Sequence, residues 1–121
     1  MKNFRADLHV HTVLSPCAEI EMLPPLIVQE AIERQIDLIA ITDHNAISGS
    51  EEALRAGSGV LVVPGIEVSA ADGPHILLYF YDIGSLRDYY ERHVRPFKGA
   101  SPYLAIGLDT SEIVRRSAGY S

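Results

Sequence analysis

The chain carries five histidines, and two of them, His9 and His11, close an apolar segment that reads Ala6-Asp7-Leu8-His9-Val10-His11-Thr12. In an extended backbone, side chains two residues apart point to the same side, so both imidazoles can reach one metal ion; a helix would separate them. Groups of the same chemical kind recur downstream. Asp43-His44 lies in Ile41-Thr42-Asp43-His44-Asn45, Glu67 in Val63-Pro64-Gly65-Ile66-Glu67, and His75 heads His75-Ile76-Leu77-Leu78-Tyr79-Phe80. Imidazole and carboxylate without clustered thiols suit Zn, Mn or Fe rather than a structural zinc ribbon or a calcium site. Glu67 has two carboxylate oxygens and can bridge two ions; ions about 3.5 to 4 Å apart polarise a phosphoryl oxygen and lower the pKa of water. Taken singly, each group has an ordinary reading: His44 as a turn cap, Glu67 as a loop acid, His75 as a hydrogen-bonded histidine at a strand start.

What would bring these groups together is the order of elements. Phe4 to Val10 reads as a first strand, followed by a loop through Leu14-Ser15-Pro16-Cys17. Pro24-Pro25 opens a helix over about Leu26 to Gln35, where Leu26, Ile27, Ala31 and Ile32 recur with helical spacing. Ile36 to Thr42 is a dense apolar run suited to a strand buried on both faces. Ser48 or Ser50 is expected to cap a second helix through Glu51 to Ala56, with Gly57 at its exit. A third strand is expected over Val60 to Val63, stopped by Pro64-Gly65. Two further β-like runs, Ile66 to Ala70 and His75 to Tyr81, flank the turn Ala71-Asp72-Gly73-Pro74. Ser85 to Arg95 reads as a helix, and Thr110 or Ser111 as the cap of a short helix over Glu112 to Ala118. Strand and helix in alternation imply an α/β fold with a mostly parallel sheet flanked by helices. In such sheets function gathers at the C-terminal strand edge, where His9, His11, Asp43, His44 and Glu67 are expected to meet; His75 falls at a strand start.

At 121 residues the chain is long enough for one modest core and too short for two ordinary domains, so 1–121 is read as one unit. An apolar fraction of 47% and a charged fraction of 21% exclude a disordered tail. The formal charge of -6 speaks against an extended basic surface for nucleic acid. An anionic substrate is still compatible with it if metal sits between. No apolar signal region or membrane span is present, and the single cysteine, Cys17, agrees with a reducing compartment, so the expected location is cytoplasmic. Tyr79, Phe80, Tyr81, Tyr89 and Tyr90 could stack on a base or pack a core. Arg92, Arg95 and Lys98 could grip a phosphate or form a solvated helix face, and His93 is expected to face solvent.

In order and approximate spacing, Asp7-Leu8-His9-Val10-His11-Thr12, Ile41-Thr42-Asp43-His44-Asn45, Pro64-Gly65-Ile66-Glu67-Val68 and Gly73-Pro74-His75-Ile76-Leu77 closely resemble the motifs of the PHP family, named for polymerase and histidinol phosphatase. The resemblance implies a distorted (β/α)7 barrel holding up to three divalent ions and hydrolysing phosphate esters. Residue by residue, it implies that His9, His11 and Glu67 hold one ion, that Glu67 bridges to a second that also takes His75, and that His44 belongs to a third. Asp43 and Asp7 would stand behind the ligands and orient imidazoles. Members usually carry another ligand shortly after the first pair, where this chain reads Ser15-Pro16-Cys17-Ala18-Glu19; Glu19 or Cys17 would substitute. A complete member continues past Ser121 into strands bearing another His and an Asp-x-His pair, so the expectation is a partial barrel, the N-terminal part of a PHP domain. The implied activity is a metal-dependent phosphoesterase acting through activated water on a small phosphate ester or nucleotide-type substrate, with no membrane partner and no extended nucleic-acid surface. The alternative is a metal-binding but catalytically incomplete module with a regulatory, interaction or assembly role. An unpaired sheet edge would favour a homo-oligomer.

Overall fold

The computed structural model describes residues 3–12, 23–57, 59–101 and 104–121. Four strands, β1 (Ala6–Val10), β2 (Leu38–Ile41), β3 (Leu61–Ser69) and β4 (His75–Tyr79), lie in the order β1-β2-β3-β4. The first two pairings are parallel and the last is antiparallel. Helix α1 (Pro24–Glu33) makes the crossover from β1 to β2, and α2 (Ser48–Ala56) that from β2 to β3. After β4 come α3 (Ile83–Tyr89), a wide π turn over Tyr90–Val94, a tight turn at Arg95–Phe97, and α4 (Thr110–Ser117). The sheet curls into a half-barrel: Tyr79, on one outer strand, reaches the carbonyl of Leu8 on the other with its hydroxyl at 2.5 Å.

Alternation along the strands sorts side chains into a convex and a concave face. Val10, Ile39, Ile41 and Val62 point outward and pack with Ile27, Val28, Ala31 and Ala53 of α1 and α2. Further round, Ile66, Val68, Ala70 and Phe80 join Leu86, Tyr89, Val94 and Ile113. Phe80 and Tyr89 are therefore core residues, whereas Tyr81 is 94% exposed. His93 is half-buried rather than solvent-facing: its ring packs beside Tyr89 and Tyr120, and its Nδ1 lies 3.3 Å from Arg116 Nη1.

Several boundaries differ from the sequence expectation for local reasons. The runs on either side of Pro64-Gly65 are one strand, because β3 changes partner there: it pairs with β2 up to Pro64 and with β4 from Gly65 onward. The missing N–H of Pro64 falls at the end of the β4 ladder, where proline is tolerated. Helix α2 begins after Ile47 with no side-chain cap, since Ser50 Oγ instead accepts the Gly65 N–H at 3.3 Å. Helix α4 is capped by Asp109, which accepts from the Glu112 N–H at 2.9 Å, while Thr110 donates its N–H and hydroxyl to Asp72. Helix α3 starts two residues earlier than expected, capped by Asp82.

Candidate metal centre

The concave face carries the polar cluster. Directly paired strand residues share a face, so Glu67, paired with Leu77 and bridged to His44, points inward with His75 and Tyr79. Glu67 lies within β3 rather than beyond its end. His75, at the start of β4, reaches the same place because β4 runs antiparallel and begins where the parallel strands finish.

His9 and His11 need a further device. Asp7 pairs with Ile39 but Val10 pairs with Ile41, so an extra residue is accommodated between them. Such a bulge re-aims side chains. Without it His9 and His11 would share the outward face of Ile39 and Ile41; with it they turn into the concave side.

The result is an arc of imidazoles around one carboxylate. His9 Nε2 lies 2.5 Å and His11 Nε2 3.5 Å from Glu67 Oε1. His44 Nδ1 lies 2.9 Å and His75 Nδ1 3.2 Å from Oε2. Neighbouring rings meet edge-on, with centroids 4.9 Å apart for His9 and His11, 4.7 Å for His11 and His44, and 5.2 Å for His44 and His75. The Glu67 side chain is 4% exposed, whereas those of His9 and His75 are 53% and 55% exposed, so the cluster is anchored in the sheet and open at its flanks. Donor atoms gather as His9, His11 and Glu67, and as His44, Glu67 and His75. This grouping sets His44 with His75, where the family resemblance implies a separate third ion for His44.

The backbone carrying these rings is held by groups that do not themselves point at Glu67. Asp43, buried, accepts the Thr12 N–H at 2.6 Å and the Thr12 hydroxyl at 2.5 Å, fastening the chain just after His11 to the chain just before His44. Gly49 permits this approach, because a Cβ there would sit 2.9 Å from Thr12 Cγ2 and Oγ1 and collide with Asp43 Oδ2. Asp7 Oδ1 accepts the His9 N–H at 3.3 Å. Asn45 takes a left-handed φ of 52°, which asparagine tolerates better than most residues. Its N–H donates to the Glu67 carbonyl, its Oδ1 accepts the Ser69 N–H at 2.9 Å, and its Nδ2 donates to the Leu104 carbonyl. Sequence reasoning gave no role to Thr12, Gly49 or Asn45 and offered Tyr79 only as a base-stacking or core residue; the left-handed asparagine after Asp43-His44 is the one with a readable signal. Cys17 and Glu19 lie outside the described residues.

The donor set fits divalent ions that take nitrogen and oxygen together. Burial is the main influence on His44 and lowers its pKa, favouring the neutral, ligating imidazole, while the Glu67 charge pulls the other way. Burial and the negative charges of Glu67 and Asp7 raise the pKa of Tyr79 and keep it a hydrogen-bond donor. Among the described residues, Thr42 Oγ1 is buried without a hydrogen-bond partner, and no helix is long and apolar enough to cross a membrane.

The chain is 36% identical over 85 residues to an uncharacterized protein of Methanocaldococcus jannaschii, covering 62% of this chain and 50% of that protein. It is 34% identical over 116 residues to the 5'-3' exoribonuclease Rnm of Salmonella typhimurium, covering 88% of this chain and 39% of the relative. The chain thus spans half or less of the length of these relatives. Endonuclease Q of Pyrococcus furiosus superposes with a TM-score of 0.80 at 20% identity over 97% of this chain and 32% of its own, a likeness of fold. The expectation of a small phosphate ester and no extended nucleic-acid surface is overturned by these comparisons. Rnm is an exoribonuclease, and endonuclease Q has been seen with a 27-mer duplex bearing an abasic lesion at its active site. Net charge is a weak guide because it sums over the whole surface, while any cation held at a site would set the local field there. The model of the PHP domain matches residues 7–106, and the chain belongs to that family.

Proposed function

We propose that this chain carries the metal-binding centre of a phosphoesterase that hydrolyses phosphodiester bonds in nucleic acid. The observation that supports it is the convergence of His9, His11, His44 and His75 on the buried carboxylate of Glu67. His9, His11 and Glu67 would hold one divalent ion, and His44, His75 and Glu67 a second, with Glu67 bridging. Bound ions of this kind supply activated water and neutralise charge developing on phosphoryl oxygens. The chain's own part is placement. The bulge in β1 aims His9 and His11, Asp43 holds the Thr12 backbone, and Asn45 ties the His44 loop to β3, so the donors are held on strands and strand ends rather than long loops. The exposed flanks at His9 and His75 leave room for a polymeric substrate. The exoribonuclease relative, aligned over 88% of this chain, supports nucleic acid as the substrate class.

The test pairs hydrolysis with metal content. Wild type, His9→Ala and Glu67→Gln are supplied with Mn or Zn, assayed on a 5'-phosphorylated RNA oligonucleotide, and analysed for bound metal by elemental mass spectrometry. Loss of metal and of hydrolysis in both variants is expected; unchanged hydrolysis in both sinks the mechanism. Metal bound by wild type without hydrolysis of any phosphodiester would favour the catalytically incomplete module instead.

A further inference from the structure

Arg92, Arg95 and Lys98 are close in sequence, but the fold separates their fates. Arg92 pairs with Asp88 at 3.0 Å and Arg95 with Glu91 at 2.7 Å, both on an exposed helical surface. Lys98 follows the Arg95–Phe97 turn and is half-buried. Its Nζ donates to the Asn45 carbonyl at 2.8 Å and to the Tyr90 hydroxyl at 3.2 Å, and it lies 5.4 Å from the centroid of the Tyr90 ring. Among the described residues these partners are all neutral, so the ammonium charge is not offset by a carboxylate.

Its position links it to the metal centre. Asn45 is the residue after His44, and its N–H bonds the carbonyl of Glu67. The ammonium is therefore held one residue from a ligand-bearing position. It has three donors and spends two on Asn45 and Tyr90. In a chain of net charge -6, a cation held on the residue after His44 and paired with no carboxylate among the described residues would find its counterpart in an anionic substrate.

We infer that Lys98 contacts a backbone phosphate of single-stranded nucleic acid next to the scissile linkage, using its third donor while Asn45 and Tyr90 hold it in place. The inference rests on the phosphodiesterase reading above, extending it to a particular binding residue. Lysine acts here as a point charge, so it would strengthen binding without selecting sequence.

The test is a salt titration of binding, independent of turnover. A fluorescein-labelled oligouridylate with phosphorothioate linkages is titrated with manganese-loaded wild type, Lys98→Met, Lys98→Arg, Arg92→Met and Arg95→Met, and anisotropy is followed across ionic strength. Lys98→Met is expected to weaken binding several-fold at low salt and to make the slope of log affinity against log salt shallower by about 0.7, the value for one phosphate contact on a single strand. Lys98→Arg restores the slope, and the two arginine variants leave it near wild type. In hydrolysis of the unmodified RNA, Lys98→Met raises KM with little change in kcat. An unchanged slope in Lys98→Met overturns the inference, as does a fall in bound metal and melting temperature with no slope change, which would make Lys98 a support for Asn45 only. Absence of oligonucleotide binding by wild type also overturns it. Binding with the expected slopes but no hydrolysis by wild type would instead remove the phosphodiesterase reading and leave the contact standing.

Discussion

Replacing Gly49 by alanine tests whether the Thr12–Asp43 clamp is as rigid as the geometry makes it. In an unconstrained helix the change is favourable by up to about 1 kcal/mol, because glycine is the poorer helix former. Gly49 is the second residue of α2, and the added methyl would overlap Asp43 Oδ2 and lie 2.9 Å from two atoms of Thr12. Asp43 cannot yield without lengthening its bonds to the Thr12 N–H and hydroxyl, at 2.6 and 2.5 Å. A hydrogen bond to a charged group contributes about 1.5 to 3 kcal/mol, and overpacking of a well-filled site costs about 1 to 3 kcal/mol. Losing one such bond and keeping the full propensity gain leaves Gly49→Ala destabilised by about 0.5 to 2 kcal/mol. Urea unfolding followed by circular dichroism reads this as a lower midpoint with unchanged slope. Gly119→Ala is the control: beyond its own chain neighbours no atom lies within 4 Å of the position a Cβ would take there, so its midpoint should hold or rise slightly. Because Thr12 and Asp43 flank His11 and His44, manganese titration of Gly49→Ala should also show weakened binding. A Gly49→Ala protein as stable as wild type, or more so, would refute the clamp.

Two further outcomes are expected. Tyr79→Phe removes the hydroxyl that bonds the Leu8 carbonyl across the half-barrel, at a cost of about 0.5 to 1.5 kcal/mol, and weakens metal binding because Leu8 precedes His9 in the bulged segment; unchanged urea midpoint and manganese affinity would remove Tyr79 from the site. Burial first, and then the Arg116 guanidinium, hold the pKa of His93 below the ordinary histidine value. A lowered folded-state pKa contributes stability that is present above about pH 6.5, the unfolded value, and is lost as pH falls through the folded one. The fall in urea midpoint from about pH 7.5 to about pH 5 should therefore be smaller in His93→Gln than in wild type; an equal fall would show that His93 is not a source of acid sensitivity.

The candidate ligands were legible because their chemistry is: imidazoles and a carboxylate at the margins of apolar runs are few, and the βαβ order brings those margins together. The devices that aim them were not legible. Asp7-Leu8-His9-Val10 alternates like any regular strand, and nothing in its composition marks the bulge; plain alternation would send His9 and His11 to the outer face with Ile39. Pro64-Gly65 looked like a stop because proline removes a donor, yet a strand that changes partners at that point keeps its ladders. Ser48 and Ser50 had the composition of caps, but the Ser50 hydroxyl serves the neighbouring strand, a tertiary choice that local sequence does not encode. His75 joined the cluster through the antiparallel return of β4, which the tight turn at Gly73, with its φ of 114°, makes possible.

The same curvature separates what stabilises the fold from what does its chemistry. Helices cover the convex face, where Ile39, Ile41, Ile66 and Val68 are almost fully buried, and the polar cluster occupies the concave face. A change at Ile39 is expected to act first on stability, and a change at exposed His9 on the candidate metal centre. The two requirements meet where the chain leaves β1 and β2. There Gly49 of a packed helix touches Asp43 and Thr12, and Asn45 joins the His44 loop to β3. Burying the Asp43 carboxylate is costly unless it is well bonded, and the bonds that satisfy it also set the spacing between His11 and His44. Changes at this junction are expected to move the candidate donors as well as to alter stability, so a glycine, an aspartate and a left-handed asparagine, none of which needs to touch substrate, support the candidate centre.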